Sequence, residues 1–571
     1  MLTVRLLALV LVVGAVLLTV GGLLAAQDAN DATTRARRFL AEYDMKVRPL
    51  EITAARAWWE ANTTGKDEAF AAKEAAQNKL DAALADAARF AELKAIKAAR
   101  DRGEIADKTL ARAIDVLYLT FLAKQLDPDL LKQIVEKETA VEKAFNTYRA
   151  VVDGKEMTDS EVRKVLKSST DSARRRAVWE ASKGVGAVVI KELLELVRLR
   201  NQAAVKLGFK NFHAMQLFLN EQDGEELIRL FDQLDTLTRE PFRQAKAEFD
   251  ALLAKALNLQ PDQLMPWHYH DPFFQEAPAV FAVSLDEPYA RADIVQLCRL
   301  FYASIGLPVD RILERSDLFE RPKKSPHAFC IDIDRAGDVR ILANIVPNEY
   351  WVGTMLHELG HAVYSTHNNH IPDTLPYVLR GESHILTTEG VAMLFERFSK
   401  SRAWIEKMGL KVADAARFDE VAAKMQRNQL LVFSRWCQVM LRFEKAMYEN
   451  PQQDLNRLWW DLVEQYQMVK RPADRNAPDF ASKIHICTAP VYYHNYMMGQ
   501  LFASQVHHTI AKEVFKADPA TVIYNENKAV GDFLKRRIFE PGRTLDWREL
   551  TRRATGAELN ASAFAADFKG Q

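Results

Sequence analysis

Two histidines four residues apart, with a glutamate beside the first, stand in Met355-Leu356-His357-Glu358-Leu359-Gly360-His361-Ala362-Val363-Tyr364. On a helix the i and i+4 positions share a face, so His357 and His361 can grip one zinc ion. Glu358 stands where a general base must be, able to take a proton from a water at the metal's open position and pass it to a leaving amine. A catalytic zinc needs a third protein ligand. Leu386-Thr387-Thr388-Glu389-Gly390-Val391-Ala392-Met393-Leu394-Phe395 offers Glu389 at the start of an apolar helical run, where an inward carboxylate is costly unless it has a partner. The Thr387-Thr388 pair can instead cap that helix and leave Glu389 a first-turn acid. Glu382 and Glu396 are the other carboxylates in reach.

The elements that must carry these residues read as mostly helical. With 22 Gly and 20 Pro in 571 residues, the chain is poor in turns. From about Thr33 to Phe145, Ala, Lys, Glu, Asp and Leu dominate, and apolar residues recur at three and four. Gly103 and Asp127-Pro128-Asp129 read as breaks between helices. Ser169-Thr170-Asp171 caps a further helix that presents Arg174 to Arg176 on a solvated face and continues to a stop at Gly208. Between Leu259 and Pro347, Pro, His and aromatic residues concentrate. There the alternating Cys330-Ile331-Asp332-Ile333-Asp334 and Val339-Arg340-Ile341-Leu342-Ala343-Asn344-Ile345 predict a small hairpin just before the zinc helix. Helices resume after Pro347 and run to Leu550.

Composition narrows the function classes. Lys+Arg and Asp+Glu balance at 77 each, with 48% hydrophobic and 27% charged residues. That is a folded protein without the basic footprint of a nucleic-acid binder. The length exceeds what one ordinary core supports. Leu6 to Ala26 runs 21 residues without a charge behind Arg5. It reads as an export signal over 1–26, or else as an uncleaved membrane anchor, leaving 27–571 as the exported body, periplasmic or secreted. Cys298, Cys330, Cys437 and Cys487 show no metal-binding spacing.

These residues resemble the angiotensin-converting-enzyme family of zinc metallopeptidases, within the gluzincins that pair H-E-x-x-H with a distant Glu. Lys483-Ile484-His485-Ile486 followed by Pro490-Val491-Tyr492-Tyr493-His494-Asn495-Tyr496 is similar to the family's substrate-contact block. Pro326-His327-Ala328-Phe329, thirty residues before His357, is similar to its H-A segment. The resemblance implies a two-lobed helical ellipsoid with a deep central channel and a small β hairpin beside the zinc helix. It implies one Zn2+ held by His357, His361 and Glu389, with Glu358, His485 and Tyr496 catalytic. His327, Ala328, Lys483, Tyr492 and Tyr493 would contact short, unfolded peptides, and C-terminal dipeptides would leave. Membrane contact would come only through the N-terminal segment.

The chain also departs from the family pattern. Met393 stands where the family has an Asp supporting a histidine ligand, which points to another acid such as Asp373. Asn495 falls where the family has an Arg that takes part in chloride activation. The family's substrate-binding Gln falls on Tyr269. One extra residue separates His485 from Tyr496, a spacing closer to thimet-type oligopeptidases, so an endo-oligopeptidase is the alternative enzyme. A catalytically silent peptide-binding protein is the alternative outside enzymes.

Overall fold

A computed structural model describes residues 32–281, 284–368 and 375–568. The proposed signal or anchor over 1–26 and Asp373 lie outside the described residues. The fold is mostly helical, as expected, at about 70% helix. Six helices organise it: α1 (Ser172–Lys206), α2 (Gly224–Leu257), α3 (Glu349–Asn368), α4 (Ile385–Glu396), α5 (Ala415–Glu449) and α6 (His494–Ile510). Their ends follow local chemistry. Asp171 accepts hydrogen bonds from the Ala173 and Arg174 amides at the start of α1. Past its end, Gly208 turns the chain at φ 90°. Asp127 caps the helix that opens at Pro128, and Gly103 takes φ 80°, so both expected breaks are present.

The expected hairpin forms, but it is shorter than the alternation implied. β3 (Phe329–Asp332) pairs antiparallel with β4 (Val339–Leu342), Phe329 opposite Leu342 and Asp332 opposite Val339. Beyond Leu342 the backbone is claimed by another segment: the Ala343 and Ile345 amides donate to the Asp317 and Leu318 carbonyls. A second hairpin, β1 (Ala150–Val152) and β2 (Lys155–Met157), was not anticipated. Its Asp153-Gly154 turn has both residues at positive φ, the geometry that matches the twist of paired strands. The arginine run on α1 also needs correction. Arg174 and Arg176 are outward, but Arg175 is buried and donates to the Ser169, Trp267 and His268 carbonyls.

Two main hydrophobic cores account for the folded mass. The larger gathers residues from Val141 to Phe568, α1 to α6 among them. The smaller gathers residues from Ala32 to Phe121 together with Leu375, Tyr377, Val378 and Leu379. A cavity of about 640 Å³ opens beside the segment that follows Leu379. β3, α3, α4, Tyr496 and Arg543 also line it.

Helices α3, α4 and α6 approach one another almost backbone to backbone, and glycine is what permits it. A Cβ on Gly360 of α3 would lie 2.8 Å from the Ala392 Cα of α4. One on Gly390 of α4 would lie 2.6 Å from Phe502 Cδ1 and 2.8 Å from the Gly499 carbonyl oxygen of α6. One on Gly499 would meet the Cβ of Glu389 at 3.0 Å. Gly360→Ala therefore pushes α3 away from α4. It should destabilise the protein by about 1–3 kcal/mol, as overpacking does, and lower its zinc content. Denaturant titration and metal analysis check this, and an unchanged midpoint with full zinc would refute it.

Candidate metal centre

Local helix chemistry decides which carboxylate faces the histidines. α4 begins at Ile385 and has His384 at its N-cap, whose ring accepts the Leu386 amide, while Thr387 Oγ1 accepts the His384 amide and so takes part in the cap. Glu389 therefore sits in the second turn of α4, and its carboxylate points toward α3. The Nε2 atoms of His357 and His361 lie 3.2 Å apart, and Glu389 Oε2 is 3.6 Å from His357 Nε2. One donor atom from each of the three falls within 4.8 Å of the others.

The outer ring nitrogens orient this cluster. His357 Nδ1 meets Glu396 Oε2 at 2.9 Å, and His361 Nδ1 meets Thr388 Oγ1 at 2.7 Å. With Nδ1 donating, each ring aims an Nε2 lone pair at the same point. Two such lone pairs and a carboxylate oxygen repel one another unless a cation shares them. Two nitrogens and an oxygen are the donor set that suits zinc, with room for a further ligand. The residues thus fit the metal that their motif implies.

Glu396 and Glu382 are therefore not equivalent to Glu389. Glu396 supports His357 from behind, and Glu382 bonds the Ser365 hydroxyl one turn beyond His361. Met393 lines the cavity without an accepting oxygen, and Thr388 takes the supporting place on His361. Glu358 is buried at 8% exposure beside the cluster, and the Cys330 amide of β3 donates to its carboxylate. Burial, with Glu389 and Glu396 nearby, pushes that carboxyl up to about 7.

The predicted substrate residues divide. Ala328, Phe329 and Tyr496 line the metal cavity, but His327 is exposed and does not. It lies before β3 begins, so nothing in the strand turns it inward. Lys483 is buried rather than solvated, and its ammonium lies 2.5 Å from Gln275 Oε1 and about 5.3 Å from the Trp436 and Tyr493 ring centres. Burial pulls Lys483 down to about 8.

Gln275 is the residue sequence reasoning missed. A glutamine stands six positions after Tyr269, held by Asp271, which accepts one bond from its side-chain amide and one from its backbone N–H. Tyr269 is instead buried against Lys246. The only sequence signal was a lone Gln at the end of an aromatic, proline-rich stretch.

Tyr493 joins the two regions. Its ring stands 5.1 Å from His485 and 5.5 Å from Tyr496, and Tyr492 packs on Tyr496 at 5.2 Å. The His485 Nδ1 is buried without a partner among the described residues, and burial lowers this imidazole to about 4, so it is neutral at pH 7. Between His485 and Tyr496 the chain turns at Val491, which takes φ 58° with its amide donating to the buried Glu444 carboxylate. Asn495 is buried and satisfied by Gln222 and the Tyr492 carbonyl.

Removing Glu389 as Glu389→Ala should abolish stoichiometric zinc. Glu396→Gln should weaken zinc by about 10–100-fold, the usual cost of a lost supporting partner, and Glu382→Ala should leave metal content intact. Equal zinc affinity in all three variants, measured against a competing chelator, would show the ligand set to be wrong.

A family profile described as angiotensin-converting enzyme matches residues 30–242 and 272–570. The angiotensin-converting enzyme of Theromyzon tessulatum is 20% identical over 582 residues, spanning 94% of this chain and 91% of the relative. Extended over nearly the whole chain, and joined to a cluster of two histidines and a glutamate that can hold the metal, the match assigns it: the chain belongs to the angiotensin-converting enzyme family of zinc metallopeptidases.

Proposed function

We propose that this protein is an exported peptidyl-dipeptidase that removes C-terminal dipeptides from short, unfolded peptides. In this reading residues 1–26 direct export or anchor the chain, and 27–571 form the peptidase. The observation that carries it is the pairing of Lys483 with Gln275, a cation and an amide set together and joined to the metal cavity through Tyr493 and Tyr496. A peptide's terminal carboxylate fits there. The ammonium supplies charge, the amide a directed hydrogen bond, and the free energy of both fixes register.

The chemistry then follows from the placed groups. His357, His361 and Glu389 would hold Zn2+, which polarises the scissile carbonyl and acidifies water. Glu358 accepts the proton of the attacking water and delivers it to the leaving nitrogen. The neutral His485 and the Tyr496 hydroxyl donate to the oxygen that becomes anionic. The backbone at Ala328, just before β3, aligns the substrate backbone as an added strand. The thimet-like tyrosine spacing favours internal cleavage, whereas the Lys483–Gln275 pair and the place of Tyr496 on the cavity wall favour release of a dipeptide.

Glu358→Gln should retain zinc and lose about 10²–10⁴ in kcat, the range for a lost general base. Near-normal turnover in a metal-replete sample would exclude the mechanism and leave a peptide-binding protein.

The cleavage mode has its own test. The free-enzyme Lys483 is depressed to about 8 by burial, so its charge is present below that pH and lost above it. The kcat/KM for free-carboxylate peptides should therefore fall as pH rises through about 8. Amidated peptides should be cleaved about 10–100-fold more slowly, without that limb, since a hydrogen-bonded charge contributes about 1.5–3 kcal/mol. Equal rates on free and amidated peptides would assign an endo-oligopeptidase.

A further inference from the structure

One wall of the metal cavity carries a guanidinium whose hydrogen-bonding groups are largely unused. Arg543 lines that cavity and is partly buried. Its Nε–H donates to the Glu382 carbonyl at 3.2 Å, and no carboxylate pairs with it among the described residues. Among the described residues the two terminal nitrogens have no hydrogen-bond acceptor, which leaves their donors for a ligand in the cavity that Arg543 lines.

Its neighbours do not neutralise it. Arg335 lines the same wall, committed to Glu51 at 3.5 Å and stacked on Tyr377. Arg112 lies behind, paired with Glu221. The nearest acid, Glu382, spends its carboxylate on Ser365. Burial, and the like charges of Arg335 and Arg112, press Arg543 below its ordinary value, and the carboxylates of Glu382 and Glu51 offset only part of that. The backbone locks it in place: the Arg543 amide donates to the Gly381 carbonyl and its own carbonyl accepts from Arg112 Nε, each at 3.0 Å.

We infer that Arg543 is a specificity subsite for an acidic side chain upstream of the scissile bond. This rests on the dipeptidase reading for its orientation. If the substrate's C-terminus reaches Lys483 beyond Tyr496, the residues before the scissile bond pass the metal ligands into the part of the cavity that Arg543 lines. An extended strand advances about 3.4 Å per residue, so the four residues of β3 can guide only a few upstream positions. A carboxylate there meets a planar fork with parallel N–H donors, the geometry that distinguishes Arg from Lys in recognising Asp or Glu.

Matched peptides that share one C-terminal dipeptide, with Glu, Gln or Lys at each of the three upstream positions, test this. At one position the wild type should prefer Glu over Lys by at least about tenfold in kcat/KM. The ratio should collapse to within about threefold in Arg543→Gln and persist in part in Arg543→Lys. No Glu preference in the wild type, or an unchanged ratio in a folded Arg543→Gln, would overturn the subsite. Should Arg543→Gln not fold, the wild-type ratio and Arg543→Lys decide. Calorimetric binding of the same peptides to zinc-loaded Glu358→Gln separates this from the activity. If no dipeptide is released by the wild type, the proposed function falls. The Glu-to-Lys affinity ratio on Glu358→Gln still decides on Arg543.

Discussion

The near-contact of α3, α4 and α6 is the constraint on which the site depends. A zinc centre built from two helices needs its donors within a few ångströms, and helices carrying ordinary side chains pack with axes about 8–10 Å apart. Gly360 facing Ala392, and Gly390 facing Gly499, remove the side chains that would hold them off. Glu389, with its Cβ against Gly499, is then delivered from the second turn of α4 to the pair on α3. The same approach lets Thr388 and Glu396 reach the outer nitrogens of both histidines. The third candidate ligand and the supports of both histidines thus come from α4, and a small displacement of that helix would disturb them together.

Around that centre the protein holds charge out of water in an unusual distribution. Lys483 is buried among aromatic faces with an amide, not a carboxylate, in contact. Arg543 lines the cavity with a carbonyl as its acceptor. Other buried cations are met in different ways: Arg435 pairs with Asp235 and Arg200 with Glu138 and Tyr448, whereas Arg175 donates to backbone carbonyls and Lys183 lies over the Phe273 ring. Burying a charge without a counter-charge is costly, so a cation left in this state favours an anionic ligand. The cation–π contacts at Lys483 offset part of that cost without cancelling the charge.

Strain is placed with similar economy. Val491 is a β-branched residue in the left-handed region, which costs of order 1–3 kcal/mol, and its amide is held by a carboxylate buried deep enough to be pushed up to about 8. The turn so fixed sends Tyr493 toward Lys483 and Tyr496 toward the metal cavity.

The sequence alone determined what depends on short-range spacing. His357, Glu358 and His361 share a helix, and helical periodicity fixes their faces. Asp127, Asp171 and Gly103 mark helix boundaries through their own local bonds. The alternation around Cys330 and Val339 is a hairpin wherever it packs. Tertiary structure decided whatever depends on which distant segment arrives. Glu396 and Glu389 sit seven residues apart on one helix face, and only the approach of α3 makes one a ligand candidate and the other its neighbour's support. Gln275 meets Lys483 across 208 positions of chain, and Arg543 meets the Glu382 carbonyl across 161. His327, adjacent to a cavity-lining alanine, stays in solvent because β3 starts two residues later. Local spacing reads out one helix at a time, whereas the cavity is a product of packing between helices.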